Sequence, residues 1–143
     1  MDREFVKGSG DLLREAVSRV CSDFNTLFRR DYNVPIYKDK NGRIAVPVTD
    51  GHESYYIVAK KYLLYDTIAS IERNLVIDAL KRKMMFLFYV GEWKKWYVFD
   101  PVDIVKPEVS YSTFRGDVEY LDFNAEKIKK SFQARLSEPK RVR

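Results

Sequence analysis

The stretch that most limits what this chain can become is Met84 to Asp100, Met-Met-Phe-Leu-Phe-Tyr-Val-Gly-Glu-Trp-Lys-Lys-Trp-Tyr-Val-Phe-Asp. Met84 to Val90 is a continuous apolar run of strand length, as expected of a strand buried on both faces. Gly91-Glu92 supplies a turn. Lys95 to Phe99 returns as an aromatic and β-branched strand, and Asp100-Pro101 ends it. No other segment is so apolar for so long, so this hairpin is expected in the middle of a sheet. Its tip, Glu92 to Trp96, sets two indoles beside two ammonium groups.

The flanking segments read in order. Asp11 to about Arg30 carries Leu13, Ala16, Val17, Val20, Phe24, Leu27 and Phe28 at helical spacing, behind a flexible Gly8-Ser9-Gly10. Cys21 sits at the edge of that apolar face as a packing residue. Asn33 to Tyr37 and Arg43 to Val48 flank Asn41-Gly42, a hairpin turn signal. Pro47 should push its strand to an edge or bulge. Glu53 to Lys60 follows as a third strand. Tyr62 to about Lys83 is expected as a second long helix, ending in Lys81-Arg82-Lys83, where the helix dipole favours cations. Val109 to Leu121 reads as irregular, and a last helix should start at Asp122 or Asn124 and run to Leu136. The expectation is an α/β (α+β) domain. It has a mixed, mostly antiparallel five-stranded sheet flanked by helices, in the order α-β-β-β-α-β-β-α. Residues 1–136 would form a single domain, and 137–143 a basic C-terminal tail.

A chain of 143 residues can bury a real core, and a 45% hydrophobic content argues for a folded protein. The net charge of +5 is unevenly spread. Lys127 to Arg143 holds seven basic residues against Glu138, which leaves the rest near −1. Such an end suits phosphate backbones or an acidic partner. The single cysteine excludes an internal disulfide and fits a reducing cytoplasm. The N-terminus lacks an apolar signal core, and no apolar run is long enough for a membrane.

The chemistry in the sequence is sparse. One His and one Cys, His52 and Cys21, form no zinc pattern. No phosphate-cradling glycine loop and no nucleophile motif are present. No cofactor, metal or catalytic residue is therefore expected. Aromatic and basic residues interleave instead. Tyr37, Lys38, Lys40 and Arg43 lie on the first hairpin. Tyr55, Tyr56, Lys60, Lys61 and Tyr62 lie on and just after the third strand, Trp93, Lys94 and Lys95 on the hairpin tip, and Arg115 near the end. Aromatic rings can stack on unpaired bases while ammonium groups track phosphates.

Two resemblances bear on this. Lys7-Gly8-Ser9 followed by a helix carrying Glu15, and the stretch from Phe86 to Ile104, resemble the restriction-endonuclease-like nucleases, in particular the archaeal Holliday-junction resolvases. The resemblance covers roughly Lys7 to Ile104 and implies a fold that handles branched DNA. That family's chemistry needs an Asp on one strand and Glu-x-Lys on the next. Here Asn33-Val34-Pro35 and Val46-Pro47-Val48 occupy those strands, and Val58-Ala59-Lys60 keeps only the Lys. In character the chain is also similar to small archaeal single-stranded-DNA-binding proteins. The resulting expectation is a non-catalytic binder of single-stranded or branched DNA. Two alternatives stand beside it: a metal-dependent nuclease using Asp50, Glu53 and Lys60, and an oligomeric assembly subunit. A homo-oligomer with no membrane partner is expected.

Overall fold

The computed structural model describes residues 2–24, 28–39, 42, 44–63, 65, 67–106 and 110–124. The expected last helix and basic tail lie outside these residues. The chain divides into two compact units, Met1–Tyr62 with Leu87–Trp96, and Leu63–Phe86 with Tyr97–Arg143. The α+β class holds, but the strands form two sheets.

In the first unit, helix α1 (Asp2–Phe24) runs straight through Gly8-Ser9-Gly10 and stops before Phe28. It packs on strand β4 (Ser54–Lys60), burying Ala16 and Val20 completely. The neighbours of β4 are β3 (Ile44–Thr49) and β6 (Met85–Val90). The two-residue strands β1 (Arg29–Arg30) and β2 (Tyr37–Lys38) both pair with β3, and β7 (Lys95–Phe99), of which Lys95 and Trp96 belong to this unit, is the neighbour of β6 in the strand order. Strand β6 is therefore interior, as its unbroken apolar run demands, and Phe86 to Val90 are all buried.

Pro47 stands in the middle of β3, opposite Tyr56 on β4. The reason it is tolerated is local. Strand β1 pairs with residues 48 and 49, β2 with 44 and 45, and Pro47 falls in the gap between them. Its carbonyl accepts from the Asp31 amide on that side at 3.0 Å, so its missing N–H points to the same gap and interrupts no ladder. Tyr55 and Tyr56 point to opposite faces of β4 and both are buried. The Tyr55 ring meets Phe24 and Phe28 edge-on, while the Tyr56 hydroxyl donates to the Pro35 carbonyl at 3.3 Å.

In the second unit, the expected helix from Tyr62 to Lys83 is instead a strand, β5 (Ile68–Glu72), followed by a shorter helix, α2 (Arg73–Arg82). Lys83 ends α2 in the left-handed region, its amide returning to the last helical carbonyls. Asp100 caps the four-residue helix α3 (Pro101–Ile104), accepting from the Val102 amide at 3.0 Å. The segment expected to be irregular is a hairpin, β8 (Ser110–Arg115) and β9 (Val118–Asn124), closed by Gly116-Asp117 with Gly116 at φ +68°. Strand β9 lies between β5 and β8. Helix α2 packs on β5 and β9, around Ala69, Ile71, Val76, Ala79 and Phe123. Asp122 and Asn124, expected as helix caps, are strand residues.

Candidate nucleic-acid interface

Strand register in the first unit gathers lysines at one end of its sheet. Lys38 closes β2 and pairs with Ile44, the first residue of β3. Strand β3 is antiparallel to β4, with Val46 opposite Ile57, so continuing the register brings Ile44 beside Ala59 and the end of β4. The carbonyls of Lys60 and Lys61 accept from the amides of Gly91 and Glu92, each at 2.7 Å. The ends of β4 and β6 therefore lie side by side and this pair runs parallel, which requires the crossover through β5 and α2. Lys38, Lys60, Lys61, Lys94 and Lys95 thus line one end of the strands. With about 4.8 Å between strands, the row from β2 to β7 spans roughly 19 Å.

Helix α1 fixes the hairpin turn at three points. A side chain at Gly91 would meet the Leu12 Cδ1 methyl at 2.7 Å, so glycine permits the close approach of turn and helix. The Tyr89 hydroxyl donates to Glu15 Oε2 at 2.5 Å, and Lys94 Nζ reaches the same oxygen at 3.2 Å. Lys94 takes a left-handed backbone, φ +54°, to do so. Further along, Trp96 stacks on Phe24 with ring centres 4.8 Å apart and donates its indole N–H to Asp23 at 2.8 Å. The Tyr89 hydroxyl and the Lys94 ammonium hold the Glu15 carboxyl below its ordinary range. Burial, then Glu15, pushes the Tyr89 hydroxyl up.

The residues singled out from the sequence separate into groups. Lys38, Lys61, Lys94 and Lys95 are exposed, while Tyr37, Lys60 and Trp93 are half-buried, all at or near this end. Lys40 and Arg43 lie outside the described residues. Tyr56 is fully buried, so its ring is not open to a base. Arg115 belongs to the second unit and is engaged there. Its guanidinium lies 4.4 Å over the Tyr120 ring, donates to Ser70 Oγ at 2.8 Å and stands 3.5 Å from Asp122. Asp122, buried, also accepts from Ser70 at 2.5 Å and from Thr113 at 2.8 Å. That network satisfies a carboxylate in a sheet, and Arg115 is part of it. Tyr62 continues the interleaved run Lys60-Lys61-Tyr62 just past the end of β4. Its side chain is 63% exposed, next to Lys61 and beside the turn.

The acids proposed for a nuclease centre are committed to a turn at the other end of the sheet. Asp50 Oδ1 accepts from the amides of His52 and Glu53, both at 2.9 Å, and Oδ2 accepts from the Tyr55 hydroxyl at 3.2 Å. Lys60 stands at the opposite end of β4. Among the described residues no three of His, Cys, Asp and Glu gather in a way that could hold a metal ion. No described helix is long and apolar enough to cross a membrane.

Comparison with protein-family models, with curated proteins and with solved structures finds no match for this chain.

Proposed function

We propose that this protein binds single-stranded or branched DNA without cutting it, through the lysine-lined end of the sheet in its first unit. The observation that carries this reading is the row of Lys38, Lys60, Lys61, Lys94 and Lys95 across roughly 19 Å of strand ends. A fixed turn also favours binding, because its backbone is already ordered before contact. The engagement of Asp50 in its own turn supports the non-catalytic part.

The test is a titration of the full chain against labelled single-stranded, duplex and four-way-junction DNA at several salt concentrations, with and without magnesium. Binding to the single-stranded or junction probe that weakens linearly in log affinity against log salt is expected. Absence of binding at low salt would overturn the reading, as would magnesium-dependent cleavage of any probe.

A further inference from the structure

Lysines alone attract every polyanion alike; an aromatic face beside them can sense whether bases are present. Strand β4 holds three tyrosines on or near it, and they are used differently. Tyr55 and Tyr56 are buried, with their hydroxyls spent on Asp50 and Pro35. Tyr62, two residues past the last strand position, leaves 63% of its surface in water. The bond from the Glu92 amide to the Lys61 carbonyl fixes where Tyr62 begins. The peptide between Lys61 and Tyr62 is joined to the turn that carries Trp93, Lys94 and Lys95, and this turn is itself pinned to α1 through Glu15. The backbone leading into Tyr62 is thereby fixed beside the turn, Lys61 precedes it in the chain, and its ring stands largely in water at this end of the sheet.

Resting on the reading above, we infer that Tyr62 is the base-contacting residue of this end of the sheet. In this arrangement the ring stacks on an unpaired base while Lys61 and Lys95 hold the phosphates next to it. The ligand class follows: a single strand, or a junction arm with unpaired bases, in preference to a closed duplex whose bases are already stacked. Stacking tolerates any base, because every base presents a π face, so little sequence preference accompanies it.

An oligothymidine and an abasic oligonucleotide of the same length carry the same phosphates and differ only in bases. Wild-type protein should bind the oligothymidine more tightly. Tyr62→Ala should weaken oligothymidine binding about 5- to 100-fold, leave the abasic probe unchanged, and keep the wild-type melting temperature. Tyr62→Phe, which retains the ring, should bind both probes as the wild type does. Equal wild-type affinity for the two probes, or an unchanged Tyr62→Ala, would overturn the inference while leaving a phosphate-binding lysine row intact. Failure of the wild type to bind either probe would remove both readings together. A fall in affinity for both probes alike in a folded Tyr62→Ala would assign Tyr62 to shaping the row and overturn its base contact.

Discussion

The two ends of the sheet in the first unit are built from the same strands and treat charge in opposite ways. At the end where β3 turns into β4, carboxylates are consumed locally. Asp50 takes two amides and a phenol. Asp31 takes the Asn33 amide at 3.0 Å and the Ser54 hydroxyl. Arg30, at the same end, lies 4.7 Å over the Tyr32 ring. At the end where β4 and β6 finish, Lys38, Lys61 and Lys95 reach solvent and the backbone beneath them is fixed by its own hydrogen bonds. The difference follows from reach and valence. A short carboxylate one methylene from the backbone caps amides of its own turn. A four-carbon ammonium stem projects past the strand end and keeps its charge in water. One end therefore commits its charge to the fold, and the other leaves ammonium groups in water.

The sharpest way to break this contrast is at the first end. Asp50→Ala removes three acceptor contacts, one of them from the hydroxyl of the buried Tyr55, so about 2–3 kcal/mol of stability should be lost. DNA affinity of the fraction that stays folded should not change. Burial raises the Asp50 carboxyl, but the Glu53 and His52 amides and the Tyr55 hydroxyl outweigh it, and the net effect lies below the ordinary value of 3.8. A carboxylate depressed in the folded state stabilises above its unfolded pKa, and that contribution fades as pH falls through about 4 and below. Chemical denaturation of wild type and variant at neutral and acid pH checks this: the gap between the two curves should narrow on acidification. A gap that is constant with pH would show that Asp50 acts without its charge.

The next largest effect belongs to the second end. Lys61→Gln combined with Lys95→Gln should leave the melting temperature unchanged, since both side chains are exposed. Affinity for a single strand should fall roughly tenfold at low salt, and the salt slope should shrink by about 1.4 for two lost phosphate contacts. The same pair of changes made at Arg29 and Arg30 serves as the reference. If that pair lowers affinity as much, the two ends do not differ in the way drawn above.

How far this contrast could be read from the sequence depended on the distance over which each signal acts. The central hairpin was legible because an apolar run and a Gly-Glu turn are local; β6, its turn and β7 fall where expected. Ile68 to Glu72 was misread because Leu64, Ile68, Ile71 and Leu75 fit a helical period as well as a strand. Five residues of pairing with β9, from Ile68 opposite Asn124 to Glu72 opposite Tyr120, decide for the strand, and that partner is some fifty residues away. Gly116-Asp117 is a legible turn signal and marks the β8–β9 hairpin. The lysines were visible one by one. Their assembly into a row was not, because it rests on a parallel neighbour, β6, supplied by a crossover. Arg115 shows the converse error, a cation beside aromatics whose charge is answered by Asp122 across the sheet.

The smallest effect tests the one place where the contrast is not clean. Glu15 is a carboxylate at the lysine end, and it holds Lys94 at 3.2 Å while also accepting from Tyr89. It can act in two ways there. It can position the turn, or it can sit on Lys94 where a phosphate would sit. Glu15→Gln separates them, because the amide oxygen still accepts from the Tyr89 hydroxyl but no longer neutralises the ammonium. Both partners are well exposed, and exposed pairs are weak, so the gain in DNA affinity should be no more than about fivefold and should vanish at high salt. Lys94→Met alone should lower affinity slightly. In the Glu15→Gln, Lys94→Met double variant the gain should be absent, because nothing remains for the phosphate to replace. A gain that survives without Lys94 would mean that removing any negative charge near the row has the same effect. A loss in the single variant would mean that Glu15 serves this end as Asp50 serves the other, by holding backbone in place, and the two ends would then differ only in which charge they leave outside.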